Sequence, residues 1–265
     1  MTDNQYGVLV DLTKCVGCGG CTVACKMWNE RSYDGGNAHG FGVELSEDNW
    51  TVVSYHEAKQ QGKDVLRFTK RQCLHCVEPA CATVCFAKAI QVTAGGAVVY
   101  DPKKCVGCRY CMIACPFDVP KYEWNKVFPS IMKCTFCVSK TEKGEMPACV
   151  SVCPSGALTF GERDDLIRKA KAALAGNQNY VQRIYGETEA GGTRWLYISD
   201  VDFGELGFPT DVPKEAVPGI LRRYTKWKPG LFLGAAAVFG GLGFYTKRRL
   251  ELEKLKGDTE EQADV

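Results

Sequence analysis

The chain has 265 residues, which is long enough for one large or two modest domains with real hydrophobic cores. Its 33 basic residues nearly balance its 31 acidic residues, so the charge excludes the strongly basic surface typical of nucleic-acid-binding proteins. Cysteine is the unusual residue, with 16 copies against 3 histidines, and such a count indicates disulfides, structural zinc or iron–sulfur clusters.

The N-terminal region, Met1 to Thr13, has none of the features of a targeting segment. It contains Asp3, Asn4 and Gln5 and no basic region, long apolar run or twin arginine. We therefore expect a protein that either stays in the cytoplasm or crosses the membrane with a partner that carries the signal.

The cysteines form four groups of four with ferredoxin-like spacing. The groups are Cys15, Cys18, Cys21 and Cys25; Cys73, Cys76, Cys81 and Cys85; Cys105, Cys108, Cys111 and Cys115; and Cys134, Cys137, Cys149 and Cys153. The third group has the bacterial ferredoxin spacing, and the fourth is the same motif with a longer internal loop. Three closely spaced thiolates can hold three corners of one cubane, while the fourth cysteine faces the other cluster of a pair.

Zinc and disulfides are the alternatives to iron–sulfur clusters. Structural zinc usually takes two pairs of ligands separated by a finger-sized loop, whereas these groups crowd three thiolates onto one site. Cysteines two or three residues apart rarely pair with each other, and disulfide frameworks are typical of short secreted chains. The spacing therefore favours iron–sulfur clusters.

A basic residue precedes each cysteine group. These residues are Lys14, Arg71, Lys104 and Lys133. They are candidates for stabilising anionic clusters and tuning their potentials, although ordinary solvated cations would give the same pattern. His75 lies between Cys73 and Cys76. Because cysteines complete every site, we interpret it as a spacer and not as a ligand.

The segments between the cysteine groups predict short strands and one helix. Ile90–Thr93 and Ala97–Tyr100 flank Gly95-Gly96, which is a hairpin signal, and the insertion at residues 26–72 contains a predicted strand at Trp50–Ser54. Residues 161–176 have the apolar spacing of an amphipathic helix, and Trp195–Ile198 is a predicted strand. The alternation of motif and hairpin is typical of a two-cluster ferredoxin module.

Residues 230–245 carry no charge. At about 1.5 Å per residue they span roughly 24 Å, which is shorter than a bilayer core. Trp227 and Lys228 before the segment, and Lys247 after it, supply interfacial anchors. We predict a transmembrane helix, with a buried core helix as the alternative. Its small residues favour packing against another transmembrane helix, and basic residues at both ends leave the orientation open.

These residues resemble the four-cluster ferredoxin subunits of membrane-bound molybdenum or tungsten oxidoreductases and of some nickel–iron hydrogenases. The stretch Val106–Phe117, followed by Val119–Tyr122, is similar to the subunit of uptake hydrogenases. Trp28-Asn29-Glu30 and Trp50-Thr51-Val52 are more similar to formate dehydrogenase iron–sulfur subunits. The resemblance covers roughly residues 6 to 250, and its motifs specify the family better than the partner.

The resemblance implies that the fourth cysteine of each group binds the cluster of another group. The implied ligands are Cys15, Cys18, Cys21 and Cys153 for cluster one; Cys25, Cys134, Cys137 and Cys149 for cluster two; Cys73, Cys76, Cys81 and Cys115 for cluster three; and Cys85, Cys105, Cys108 and Cys111 for cluster four. Every position is filled, so four 4Fe–4S clusters are expected. Lys26 and Phe86 stand where proline often follows the fourth cysteine.

The predicted fold is α+β, with two intertwined two-cluster ferredoxin-like modules. The cluster domain would occupy residues 1–160, with groups one and four forming the outer module and groups two and three the inner one. An irregular extension at 161–228, a single transmembrane helix at 229–246 and a charged tail at 247–265 would follow, and the tail would be helical at first and then disordered.

The predicted function is electron transfer without catalysis, because the sequence has no nucleophile motif and no nucleotide-binding loop. By family analogy, one partner would be a catalytic subunit with molybdenum or tungsten pterin, or else with nickel–iron. The other would be an integral cytochrome b or quinone-reactive subunit in the lipid bilayer, with the cluster domain on the periplasmic side. The alternatives are a soluble polyferredoxin carrier with a buried apolar segment, and a membrane protein that binds structural zinc.

Overall fold

The computed structural model describes residues 5–33 and 36–261. The chain divides into two compact units, Met1–Pro218 and Gly219–Val265. The strands are β1 (Tyr6–Asp11), β2 (His39–Gly40), β3 (Thr51–Gln60), β4 (Lys63–Gln72), β5 (Ile90–Val92), β6 (Val98–Tyr100), β7 (Lys121–Tyr122), β8 (Ile131–Met132), β9 (Leu158–Glu162) and β10 (Trp195–Ile198). The helices are α1 (Gly20–Trp28), α2 (Ala80–Thr83), α3 (Tyr110–Ile113), α4 (Val138–Thr141), α5 (Ala148–Ser151), α6 (Arg163–Gly176) and α7 (Val217–Glu261). The predicted α+β class is confirmed.

A three-stranded sheet joins distant parts of the sequence in the first unit. Strand β1 lies in the middle, antiparallel to β9 and parallel to β10. Val8 and Val10 point into the main core, whereas Leu9 packs on the other face with Leu166 of α6. Because both faces are covered, β1 is a nearly continuous apolar run and does not alternate with polar residues. This sheet brings the loops after β1 and before β9 together.

The predicted hairpin, strands and amphipathic helix are confirmed. Strands β5 and β6 pair antiparallel across the Gly95-Gly96 turn. Strand β3 begins within the predicted segment but continues to Gln60 and pairs with β4 along its whole length. Helix α6 buries Leu166, Ala170 and Leu174.

The β3–β4 hairpin contacts the first cysteine loop. The Tyr55 hydroxyl donates a hydrogen bond to the Gly17 carbonyl at 3.0 Å. A Cβ atom on Gly17 would lie 2.5 Å from the Phe68 ring. The loop and the hairpin are therefore closely packed, and the insertion is part of the cluster domain and not a separate appendage.

The second unit consists of α7, one long helix with Pro229 inside it. Its segment Lys228–Leu252, 25 residues with a mean hydropathy of 1.3, is long and apolar enough to cross a membrane. This segment is longer than the predicted 229–246 because the helix continues through the basic residues that follow Tyr245. Apolar side chains such as Leu231 and Phe239 are exposed, which differs from the alternative of a buried core helix. The last four residues of the predicted tail lie outside the described residues.

Candidate iron–sulfur sites

All four cysteine loops share one backbone feature. The residue directly before the second cysteine of each group has a positive φ; these residues are Gly17 (68°), His75 (48°), Gly107 (71°) and Phe136 (60°). A left-handed residue in a tight loop turns backbone N–H groups into one concavity, which is an arrangement that binds anions. His75 and Phe136 adopt this conformation although a side chain disfavours it. The repeated geometry therefore indicates four loops built to hold negative charge.

Backbone N–H groups in these loops already donate to thiol sulfurs. Gly107 N–H donates to Cys105 Sγ at 3.4 Å, and Phe136 N–H donates to Cys134 Sγ at 3.3 Å. The Gly17 backbone N–H lowers the pKa of Cys15, which burial raises more strongly. Donation to sulfur stabilises the thiolate form, and the thiolate is the form that binds metal.

The first site combines three cysteines of the first group with one from the fourth. Cys15, Cys18, Cys21 and Cys153 line one pocket with an empty volume of about 400 Å³. The β1–β9 pairing explains this juxtaposition, because the loop after β1 carries the first group and the turn before β9 carries Cys153. We call this set site one.

A second pocket has the same composition at another place in the cluster domain. Cys85, Cys105, Cys108 and Cys111 line an empty volume of about 340 Å³, together with Ile90 and Tyr100 of the β5–β6 hairpin and the neighbouring Ile131. We call this set site four. Its fourth cysteine also comes from a different group, the second.

For the remaining eight cysteines, the effects of neighbouring thiolates on one another's pKa agree with the two further sets that the family resemblance implies. Burial, and then the Cys73, Cys115 and Cys81 thiolates, raise the pKa of Cys76 well above its ordinary value. We call the four cysteines of this set site three.

Site two consists of Cys25, Cys134, Cys137 and Cys149. Burial raises the pKa of Cys25 to about 12, and the Cys149 and Cys137 thiolates add to this effect. Burial also raises the pKa of Cys134 well above its ordinary value, with Cys25 as the next contributor. The set again draws three cysteines from one group and one from another.

Thiolates of neighbouring sets also raise one another's pKa values, which indicates the order in which the four sites follow one another. Cys149 of site two contributes to the raised pKa of Cys21 in site one, after burial. Cys73 of site three does so for Cys134 of site two. Cys111 of site four does so for Cys81 of site three. The order along the protein is therefore one, two, three and four.

These sets fit a sulfur-bridged iron cluster better than a single ion. Among the residues that the structure describes, no three His, Cys, Asp or Glu residues lie close enough to hold one metal ion. A cubane is larger than one ion and takes four thiolates, which is what each set supplies. Buried thiols with a pKa near 12, such as Cys21, Cys25 and Cys81, become favourable thiolates only when bound iron supplies positive charge.

Two of the four predicted tuning residues are neutralised at the surface. Lys14 forms an ion pair with Asp11 at 3.3 Å, and Lys104 forms one with Asp101 at 3.5 Å. Both lysine side chains are at least half exposed. Solvent and the paired carboxylates screen their charges from the cluster sites.

The other two predicted tuning residues differ from each other. Lys133 is buried and donates to the carbonyls of Val98 and Cys134, and its charge lowers the pKa of Cys81, which burial raises more. Arg71 lines a separate small cavity with Leu45 and Phe117, among others. Lys133 thus lies near Cys134 of site two and Cys81 of site three, whereas Arg71 lines neither of the two cysteine-lined pockets.

A fifth cation, Lys70, was missed by sequence reasoning. It is 2% exposed and lines the pocket of site one. Lys70 was not among the predicted tuning residues because it lies three positions before Cys73 and Arg71 is closer. Strand alternation could have found it, since residues 70 and 72 of a strand share one face and Arg71 lies on the other.

Several buried polar side-chain atoms have no hydrogen-bond partner in the described part of the chain, and two of them belong to His75 and Trp195. His75 Nδ1 accepts a hydrogen bond from the Val98 N–H at 2.9 Å, which leaves the proton on Nε2, and Nε2 has no partner. Trp195 Nε1 is also without one. The Nδ1 bond gives His75 a structural role, in agreement with its interpretation as a non-ligand.

Comparison with known families agrees with this chemistry. Two stretches of the sequence match the family described as 4Fe-4S dicluster domain, one over residues 14–89 and the other over residues 65–163. Two dicluster domains imply four 4Fe–4S clusters, a number that the 16 cysteines can hold.

Curated relatives match over most of their length. A protein of Nitratidesulfovibrio vulgaris is 40% identical over 99% of this chain and 71% of its own length. The nitrate-inducible formate dehydrogenase iron-sulfur subunit of Escherichia coli K12 is 35% identical over 91% of this chain and 84% of its own length. The hydrogenase-2 operon protein HybA of Escherichia coli O157:H7 is 35% identical over 77% of this chain and 73% of its own length.

Proposed function

Since this chain belongs to the family of ferredoxin-type iron–sulfur subunits of formate dehydrogenases and hydrogenases, and is an electron-transfer subunit with four 4Fe–4S clusters, we propose which residues hold each cluster and what stands at either end. Sites one to four, as defined by their cysteines, each hold one cluster. The two modules are then intertwined, because groups one and four exchange ligands, as do groups two and three.

The pocket of site one is the observation that carries this proposal. It brings Cys153 to the three thiols of the first cysteine loop, which is far away in the sequence. The fourth cysteine of the first group, Cys25, does not line this pocket. Site four repeats the pattern with Cys85. Each ligand set is therefore supported by geometry at the two ends of the row, and by mutual repulsion of thiolates in the middle.

The residues of the chain do three things for the relay. The clusters, when bound, supply one-electron carriers that change by a single charge. The thiolates hold the iron, and the left-handed loops direct N–H dipoles toward negative charge. Buried apolar side chains such as Val53 and Ile131 line the sites and keep water away, which limits hydrolysis and makes each dipole more effective. No residue needs a catalytic role.

The catalytic partner docks at the site-one end. The β3–β4 hairpin packs on the loop of site one, and Val16 and Val152 are exposed beside its cysteines. Exposed apolar residues next to a redox centre suit a protein interface, because a partner can cover them and bring its own centre close. By family analogy, this insertion faces the catalytic subunit. We favour formate as the substrate of that subunit, with hydrogen as the second candidate.

An integral membrane partner docks at the site-four end. Apolar side chains around this site are strongly exposed, with Ile113 at 83% and both Val127 and Phe128 at 89%. Arg109 lies over the Trp124 ring at 5.0 Å in the same region, so the patch has an aromatic and cationic edge. Such a patch suits a cytochrome b or quinone-reactive subunit near the bilayer.

Helix α7 anchors the chain as a single transmembrane pass. Its span Lys228–Leu252 carries basic residues at both ends, which suit the two interfaces. Glycines at 230, 234 and 241 leave room for close contact with a helix of the membrane partner. We place the cluster domain on the periplasmic side by family analogy, exported together with its catalytic partner.

The complex, solubilised in detergent and purified without oxygen, tests this function. We expect formate to bleach the visible absorbance of the clusters, and molybdenum or tungsten to copurify. Bleaching by hydrogen together with nickel would instead assign a hydrogenase partner. Zinc in place of iron, or clusters that neither donor reduces, would contradict the proposal.

A further inference from the structure

We propose that Lys70 is a fixed positive charge shared by sites one and two, and that it raises the reduction potentials of both clusters together. The proposal rests on the ligand assignment given above. It concerns a residue to which neither the cysteine motifs nor the comparisons assign a role.

Lys70 is held in place by neutral groups only. Its Nζ donates to Thr51 Oγ1 and to Gln72 Oε1, both at 2.7 Å, and lies 4.4 Å from the centre of the Trp195 ring. Among the ion pairs of the described residues, none includes Lys70. Neutral partners fix the ammonium group but leave its charge intact, in contrast to the carboxylates that pair with Lys14 and Lys104.

An unpaired buried ammonium group is costly unless negative charge lies nearby. Burial lowers the pKa of Lys70, but the thiolates of Cys149, Cys21, Cys134 and Cys25, in order of their effect, together raise it above its ordinary value. One of these belongs to site one and three to site two. Lys70 also lines the pocket of site one directly. Lys70 therefore lies next to the negative charge of both sites, and this charge offsets the cost of burying its ammonium group.

The effect on potential follows from charge. Reduction adds one electron to a site that is already negative, so a nearby cation stabilises the reduced form more than the oxidised form. Because the charge is buried and contacts no carboxylate, solvent screens it weakly. Lys133 is a second buried cation, whose charge acts on Cys81 of site three and whose Nζ donates to the Cys134 carbonyl of site two.

Redox titration of the full complex, followed by electron paramagnetic resonance, tests the proposal. We expect Lys70→Met to lower the potentials of two clusters together and Lys70→Arg to restore them. Lys14→Met removes a lysine that is exposed and paired with Asp11, so it is the matched control and should change these potentials much less. Iron content, measured for each variant, shows that four clusters are still bound.

A second pair of variants leaves the lysine in place. Gln72→Glu puts a carboxylate where the amide oxygen accepts a hydrogen bond from Lys70 Nζ. It should therefore lower the same two potentials as Lys70→Met. If the Lys70→Met complex fails to assemble, the two Gln72 variants decide whether the charge of Lys70 sets these potentials. Gln72→Met removes this hydrogen bond and the one that Gln72 Nε2 donates to the Tyr197 hydroxyl, adds no charge, and should change the two potentials much less.

Unchanged potentials in Gln72→Glu or Lys70→Met with full iron would overturn the role of Lys70 while leaving the electron relay intact. Equal losses in Lys70→Arg and Lys70→Met would assign it to packing. Absence of iron from the wild-type complex would instead overturn the proposed function itself.

Discussion

Paired cysteine substitutions give a direct test of the exchange of ligands between groups. Cys15 and Cys153 line the same pocket, whereas Cys25 belongs to the first group by sequence but to site two by position. Loss of one ligand should abolish one cluster, so each single Cys→Ala variant should lose about four iron atoms per chain. Double variants distinguish exchange of the fourth ligand between groups from one cluster within each group, because the amount of iron lost depends on how many clusters are lost and not on how many cysteines are replaced.

If ligands are exchanged, Cys15→Ala with Cys153→Ala removes two ligands of one cluster and still costs about four iron atoms. Cys15→Ala with Cys25→Ala removes ligands of two clusters and costs about eight. If each group instead held its own cluster, the two results would be reversed. Iron and acid-labile sulfide, measured on the anaerobic complex relative to wild type, provide the assay. The reversed result would refute the reasoning from the pocket.

Two further predictions concern stability and the membrane. Gly62→Ala, in an open turn with φ 80°, should cost about 1 kcal/mol of backbone strain. Gly96→Ala, with φ 85°, should cost about 2 kcal/mol more, because its Cβ would displace the Arg194 guanidinium from a buried hydrogen bond to the Gly96 carbonyl. Rates of visible bleaching on heating measure both, and equal rates would contradict the packing argument. Removal of residues 228–265 should make the chain extractable from washed membranes by high salt alone, whereas the full chain should require detergent. Release of the full chain by high salt alone would contradict the anchor.

The cysteine chemistry could be predicted from the sequence because cluster ligation imposes a fixed spacing. The β5–β6 hairpin and α6 followed from local signals, a Gly95-Gly96 turn and an apolar repeat. These features depend on residues close together in the chain. Local pattern therefore determines them without knowledge of the rest of the fold.

The pairing of β1 with β10 could not be predicted in the same way. Its register joins Val8 to Trp195, and both strands are short apolar runs that would pair equally well with other partners. The role of Lys70 was hidden for a related reason. Strand β4 is rich in charged residues and resembles an exposed segment, so the burial of one lysine becomes favourable only when the cluster sites lie beside it.

The central sheet also determines when the first cysteine loop can reach its folded position during synthesis. Strand β1 emerges first but finds its partners only after β9 and β10 have been made. Such distant pairing is slow, and until it forms the first thiols remain without Cys153. The cysteines of sites three and four all lie between residues 73 and 115 and become available much earlier. We expect the proposed sites three and four to be complete before site one, and a chain that ends before residue 153 would leave the first cysteine loop without its proposed fourth ligand.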